Sequence, residues 1–353
     1  MQFILFTTER VIRMRIGVVN WDCSLPPNTF FGSYFAKTMS FKKWRERTPY
    51  YADIISEDNI CCHYRTAEEY DLELKYAIEA KIDYFAYVWH TDDKNAKPDP
   101  NVKTSVTHAH AWTQDYVRKF HQRSDLAKKI KLCAILLCSQ PYTESDYFNL
   151  AEAMKAYYYE KVGERPIVYL FGGYRTDIID RLRTFPQKYG TSEPFIVFMN
   201  NGVESENGDY SKADAVTAYA CAAGNIDKYS ELVDVLISEN EKRKKYNIDI
   251  LPLFSVGWDP TPRIETSVPW VSYRNIKYSQ GPTPNEIEEG ARRLTAWIDE
   301  NSEYTKTDHI LTFAWNEFEE GSYICPTYNA DNSINSERIS GFSNAVRIFN
   351  KEI

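Results

Sequence analysis

The chain has 353 residues, 43% hydrophobic and 26% charged, with a formal net charge of −8. That profile is one of an ordinary globular protein with a sizeable core, and the lack of a basic tract argues against nucleic-acid recognition through phosphate neutralisation. No run nears the ~18 apolar residues that a membrane span needs.

Residues 1–14 read as an N-terminal extension. The opening Met1-Gln2-Phe3-Ile4-Leu5-Phe6 is too short for a signal core and lacks a basic start and a small-residue cleavage site, so a cytoplasmic location is expected unless a signal has been removed. From there the chain alternates apolar strands with amphipathic helices. Expected strands cover Ile16–Trp21, Ile82–Trp89, Lys131–Cys138, Ile167–Phe171, Phe195–Asn200, Ala213–Ala220, Ile248–Val256 and His309–Trp315. Helical segments are expected around 67–80, 108–122, 144–161, 175–187, 226–246, 284–300 and 337–350. Thr66-Ala67-Glu68-Glu69 and Thr283-Pro284-Asn285-Glu286 both fit a capping box.

Eight strands in βα alternation predict one parallel (β/α)8 barrel over residues 15–353. A doubly wound open sheet is the competitor, but Gly172-Gly173 lacks the rest of a phosphate-binding pattern. The connections after strands 1 and 7 are long and rich in aromatics, the first from Asp22 to Thr66 and the second from Gly257 to Gln280. Long connections at the carboxyl ends of strands are where barrels build their sites. The cysteines show no C-x-x-C spacing and read as thiols of a reducing compartment. Lys242-Arg243-Lys244-Lys245 reads as a helix end whose cations complement the dipole. His108-x-His110 has ligand-like spacing but no further donors, so no metal and no cofactor is expected.

A barrel gathers its strand ends on one face, and chemistry-bearing residues recur there. Trp21 and Asp22 leave the first strand, while Tyr87, Trp89 and His90 leave the second. Asn200 follows the fifth strand and Tyr219 the sixth; Trp258, Asp259 and Arg263 follow the seventh. The eighth runs into Trp315-Asn316-Glu317-Phe318-Glu319-Glu320-Gly321, with Tyr323 beyond. Ionised carboxylates cost several kcal/mol to bury unpaired. Two acids at the end of a core strand suit acid–base work on a sugar, one carboxylate held ionised and another kept protonated. The competing reading is a solvated helix start, where the dipole favours Glu. Aromatic residues at 15% fit either sugar stacking or an aromatic-rich core.

Three segments in this order resemble motifs of glycoside hydrolase family 99 and its 99-like, WbsX-like relatives. They are Ala80–His90, Gly257-Trp258-Asp259-Pro260-Thr261-Pro262-Arg263, and Trp315–Tyr323. The resemblance implies a metal-independent retaining hydrolase of α-mannosidic or other polysaccharide bonds. By it, Glu317 is the base on the sugar's own 2-hydroxyl and Glu320 the general acid/base, with the proton expected on Glu320, beside Tyr323. Asn316 is then expected to hold Glu317 or a sugar hydroxyl, with Trp89, Tyr219, Trp258 and Tyr323 shaping the sugar subsite. The chain departs from the family pattern at His90, Phe318, Glu319 and Cys325. An oligosaccharide or polysaccharide is the expected partner. The alternatives are a glycosyltransferase-like role in polysaccharide assembly and a carbohydrate-binding barrel without turnover.

Overall fold

The computed structural model describes residues 13–21, 24–91, 119–200, 210–221, 226–271, 273 and 281–353. The barrel strands are β1 (Arg15–Asn20), β2 (Tyr84–Trp89), β3 (Lys131–Leu137), β4 (Arg165–Phe171), β5 (Phe195–Met199) and β6 (Ala215–Thr217). They continue with β7, in two pieces (Asp249–Ile250 and Leu253–Ser255), and β8 (His309–Phe313). Every pairing among them is parallel, with β1 lying between β2 and β8. The strands are near-continuous apolar runs because helices cover the sheet outside and side chains fill it inside; β5 and β8 are buried throughout.

The seventh strand was expected as one run and is split. Its first piece pairs with β6 and its second with β8. The hand-over falls at Leu251-Pro252, where the Leu251 N–H donates to the Val216 carbonyl and the Pro252 carbonyl accepts from Leu311, both at 3.0 Å. Proline has no N–H to donate, so it suits the point where one ladder stops and the other begins. These bonds close the ring.

The helices are α1 (Phe30–Met39), α2 (Ala67–Glu79), α3 (Glu144–Met154), α4 (Thr176–Arg183), α5 (Phe185–Tyr189), α6 (Tyr229–Arg243), α7 (Thr261–Glu265), α8 (Pro284–Glu300) and α9 (Glu337–Phe349). Both expected capping boxes form, at Thr66 and Thr283. In α2, buried Tyr70, Leu74 and Ala77 recur at i, i+4 and i+7 and make one stripe against the barrel. The helix expected over 144–161 stops at Met154, and the chain makes a short hairpin at Lys161–Val162 against β4. The segment over 175–187 divides at Thr184, ahead of Pro186. Part of the expected 108–122 helix, with His108 and His110, lies outside the described residues. Among the described residues, no group of His, Cys, Asp and Glu has metal-holding geometry, and no helix is long and apolar enough to cross a membrane.

The amino end of the barrel carries an ionic cluster around two buried carboxylates, Asp83 and Glu160. Arg15 donates to Asp83 at 2.8 Å and to Glu160 at 2.6 Å. Arg13 reaches Asp83 at 3.0 Å, and His309 and Lys131 stand 3.4 and 3.8 Å from Glu160. Burial alone raises the Glu160 carboxyl, but hydrogen bonds from His309 and Arg15 outweigh it and hold the group below its ordinary value. At the opposite end, the first long connection folds into α1, a 3-10 turn at Lys42–Arg47, and a hairpin pairing Asp53–Ser56 with Asn59–Cys61.

Candidate active site

The carboxyl face of the barrel is organised by the turn that follows β8. Asn316–Glu317 pairs antiparallel with Ser322–Tyr323, and the three residues Phe318–Glu320 make a 3-10 turn between them. Buried Phe318 anchors this turn against Phe35 of α1 and Tyr323, with ring centroids at 6.3 and 5.5 Å. Gly321 closes it at φ +70°, where a Cβ would sit 2.9 Å from that of Asp259. Gly257 stands at φ +140°, and its Cβ would come within 2.7 Å of the Gly321 carbonyl. Glycine at both positions is what lets the exits of β7 and β8 touch. The contact is fixed by the Asp259 N–H donating to the Glu320 carbonyl at 2.7 Å.

This geometry buries three carboxylates around one guanidinium. Glu317, Glu319 and Glu320 are 5%, 2% and 7% exposed, and Arg263 of α7 is 7% exposed. Arg263 Nη1 donates to Glu320 Oε1, while Nη2 donates to Glu319 Oε2 at 3.1 Å and lies 3.7 Å from Glu317 Oε2. Tyr219 donates to Glu317 at 2.7 Å and Tyr273 to Glu320 at 3.1 Å. Thr38 of α1 donates to Glu319.

Burial pushes the Glu317 carboxyl up to about 8, and the adjacent Glu320 charge pushes the same way, against Arg263 and the Tyr219 hydroxyl. Burial also raises Glu320, but Arg263 and Tyr273 oppose it. Both acids therefore hold protons more tightly than an exposed glutamate. The guanidinium bonded directly to Glu320 opposes its protonation at closer range than that of Glu317.

Glu317 and Glu320 form the floor of a cleft of about 430 Å³. Trp21, Tyr219, Trp258 and Arg263 line it, joined by Phe171, Phe31, Trp270 and Tyr273. Tyr219 stacks on Phe171 with centroids 4.4 Å apart and meets Trp21 edge-on at 5.6 Å. Trp270 lies across Arg263, with the guanidinium carbon 5.7 Å from its ring. Among the described residues, the indole N–H groups of Trp21 and Trp258 have no hydrogen-bond partner.

Other predicted residues fall elsewhere. Asp22 lies outside the described residues. His90 stands behind Trp21, centroids 6.3 Å apart, with Nδ1 2.8 Å from the Gln140 amide. Tyr87 meets Tyr70 of α2 at 3.4 Å, hydroxyl to hydroxyl, on the helix side of the wall. Trp89 shares the parity of Tyr87 along β2, is buried, and gives its carbonyl to the Tyr142 hydroxyl at 2.6 Å. Asn200 is fully buried, with its amide donating to Tyr210 and Tyr246 and its carbonyl accepting from Arg243 at 2.8 Å. That contact gives one member of the Lys242–Lys245 run a buried packing role. Asp259 is held by Arg47 and Thr261, so it joins α7 to the first long connection. Asn316 ties β8 to β1, accepting from Trp21 N–H at 3.0 Å and donating to Asn20 at 2.9 Å, rather than holding Glu317. Tyr323 points behind the cleft, with its hydroxyl on the Glu46 carbonyl at 3.1 Å and Arg338 over its ring at 3.9 Å. Tyr273 takes the position beside Glu320 that had been expected of Tyr323.

No family model and no curated protein sequence matches the chain. Among solved structures it is similar to a glycoside hydrolase family 99 endo-α-mannosidase from Bacteroides thetaiotaomicron in complex with bis-tris propane. The two share 12% identity with a TM-score of 0.58, over 96% of this chain and 98% of that one. A second structure of the family 99 endo-α-mannosidase from that organism gives 11% identity and a TM-score of 0.58, over 96% and 98% of the two chains. At these identities the likeness establishes the (β/α)8 fold.

Proposed function

We propose that this chain is a glycoside hydrolase that cleaves an α-linked glycan with retention, Glu317 and Glu320 being the reacting carboxylates. The observation that carries this reading is the buried pair itself: two glutamates on the floor of an aromatic-walled cleft, both with raised proton affinity and within reach of one guanidinium. The unpaired indole donors of Trp21 and Trp258 suit a hydroxyl-rich ligand. The neighbours' printed activity, cleavage by an endo-α-mannosidase, is consistent with an α-mannan-like substrate here.

The chemistry balances with one proton shared by the pair. Glu317 takes the proton of the sugar's 2-hydroxyl, O2 attacks C1 from the face opposite the leaving group, and Glu320 protonates the departing glycosidic oxygen. Water then attacks C1 of the 1,2-anhydro sugar while Glu320 takes its proton, and O2 recovers a proton from Glu317. Two inversions give retention. The reaction starts with the shared proton on Glu320. A 2-hydroxyl donating to Glu317 favours its carboxylate, and a glycosidic oxygen accepting from Glu320 favours its acid form.

The test is release of reducing ends from α-mannans and bacterial polysaccharides by the wild type, Glu317→Gln and Glu320→Gln. Glu317→Gln is expected to lose about 10²–10⁴-fold in turnover, and Glu320→Gln to lose activity on natural glycans while keeping it on substrates with an activated leaving group. Binding without turnover on every glycan overturns the hydrolase in favour of a binding cleft, and dependence on a sugar nucleotide overturns it in favour of a transferase. Equal loss on both substrate types overturns the role given to Glu320.

A further inference from the structure

Arg263 presents a difficulty for the reading above. A guanidinium bonded to Glu320 favours its ionised form, whereas a general acid must carry a proton. Among the described residues Arg263 is the cation lining the cleft, so its charge acts on the reacting pair.

We propose that Glu319 is a positioning residue that neutralises Arg263, so that the guanidinium orients Glu320 without removing the proton that Glu317 and Glu320 share. Glu319 has the geometry of a counter-ion: it is 2% exposed, away from the cleft lining, with one oxygen on Arg263 at 3.1 Å and the other accepting from Thr38. Thr38 is itself fully buried on α1. With Glu319 ionised against Arg263, one proton distributed over Glu317 and Glu320 leaves the cleft with a single negative charge, the state a two-carboxylate mechanism starts from. Without Glu319, the same proton would face a guanidinium that has lost this counter-ion.

Among the described residues, the other charges nearby are engaged elsewhere. On α7, Glu265 pairs with Lys43 of the 3-10 turn. Arg47 of that turn is bound to Asp259, whose carboxylate is occupied on both oxygens. On α1, Lys37 lies over the Tyr34 ring, 5.1 Å from its centroid. Tyr219 and Tyr273 face the pair as hydroxyl donors, one to each reacting glutamate.

The inference rests on Glu317 and Glu320 being the reacting pair, but its test needs no glycan. Glutamate carboxyl titration is followed by NMR in the resting protein for the wild type, Glu319→Gln, Arg263→Gln and the double variant, with thermal melts confirming that each is folded. In Glu319→Gln the midpoint of the pair is expected to fall by about one pH unit or more, and in Arg263→Gln to rise by a similar amount. The double variant, in which cation and counter-ion leave together, returns toward the wild type, and that return is the outcome a purely structural role for Glu319 does not produce. The alkaline limb of any hydrolytic pH profile moves with the midpoint. An unchanged or raised midpoint in folded Glu319→Gln overturns the proposal, as does a double variant that shifts by the sum of two same-sign changes. If no glycan is cleaved but the midpoints move as stated, the hydrolase reading fails and the charge balance stands.

Discussion

The two ends of this barrel bury similar groups to opposite effect. At the amino end, Asp83 and Glu160 meet Arg13, Arg15, Lys131 and His309, and Glu160 is held below its ordinary value. At the carboxyl end, among the described residues, three glutamates meet one arginine, and Glu317 is pushed up to about 8. A buried carboxylate supplied with enough cations is a fixed charge that joins strands. One left short of them holds a mobile proton, and that shortage, rather than burial, separates a working cluster from a structural one.

The largest effect expected from upsetting this contrast is at the balanced end. Glu160→Gln leaves Arg15 and His309 facing a neutral group and is expected to cost about 3 kcal/mol of stability, measured by denaturant unfolding, with no change in the proposed hydrolysis by the folded protein. At the other end the sign reverses. Burial pushes the Glu317 carboxyl up to about 8, from the ordinary 4.5 that it takes in the unfolded chain. Between those values the folded state binds the extra proton, so wild-type stability falls as pH rises through the window. Glu317→Gln, which does not ionise, escapes that loss. It is expected to be more stable than the wild type by about 1–2 kcal/mol above pH 8, with the gain vanishing toward pH 4.5, in melts across that range. The smallest effect belongs to the hydroxyls. Tyr219→Phe removes a hydrogen bond that favours the Glu317 carboxylate, and is expected to shift the alkaline limb of the pH profile upward and reduce kcat/KM by about tenfold.

The barrel was legible in the sequence because apolar runs mark strands, and Glu317 and Glu320 stand out because they follow such a run. Trp21, Tyr219, Trp258 and Arg263, at or near the exits of such runs, line the same cleft. The rest failed on parity and on long-range contact. Successive strand residues face opposite sides, so Tyr87, at a strand exit like the others, meets α2 instead of the cleft. Asn200 stands one residue past β5 and serves Tyr210, Tyr246 and Arg243. Tyr323 carries an attractive side chain, but the return strand of the β8 turn aims it at the Glu46 carbonyl. Thr38 and Tyr273 lie in the two long connections, where no periodicity tells which residue will reach a buried acid. Glu319 looked like one more charge in an acidic run, and its meaning depends on Arg263, far away in sequence.

The seam between β1 and β8 has a consequence for how the chain is made. One edge of β1 pairs with β2 early in synthesis, but its other edge waits for residues 309–312. Until that last barrel strand has been synthesised, the nascent barrel presents the backbone of Gly17 and Val18 as an open edge, available to any other extended chain. The carboxylate cluster is completed within the same stretch of sequence. A chain cut short before residue 309 therefore has neither its carboxylate cluster nor its protection against aggregation.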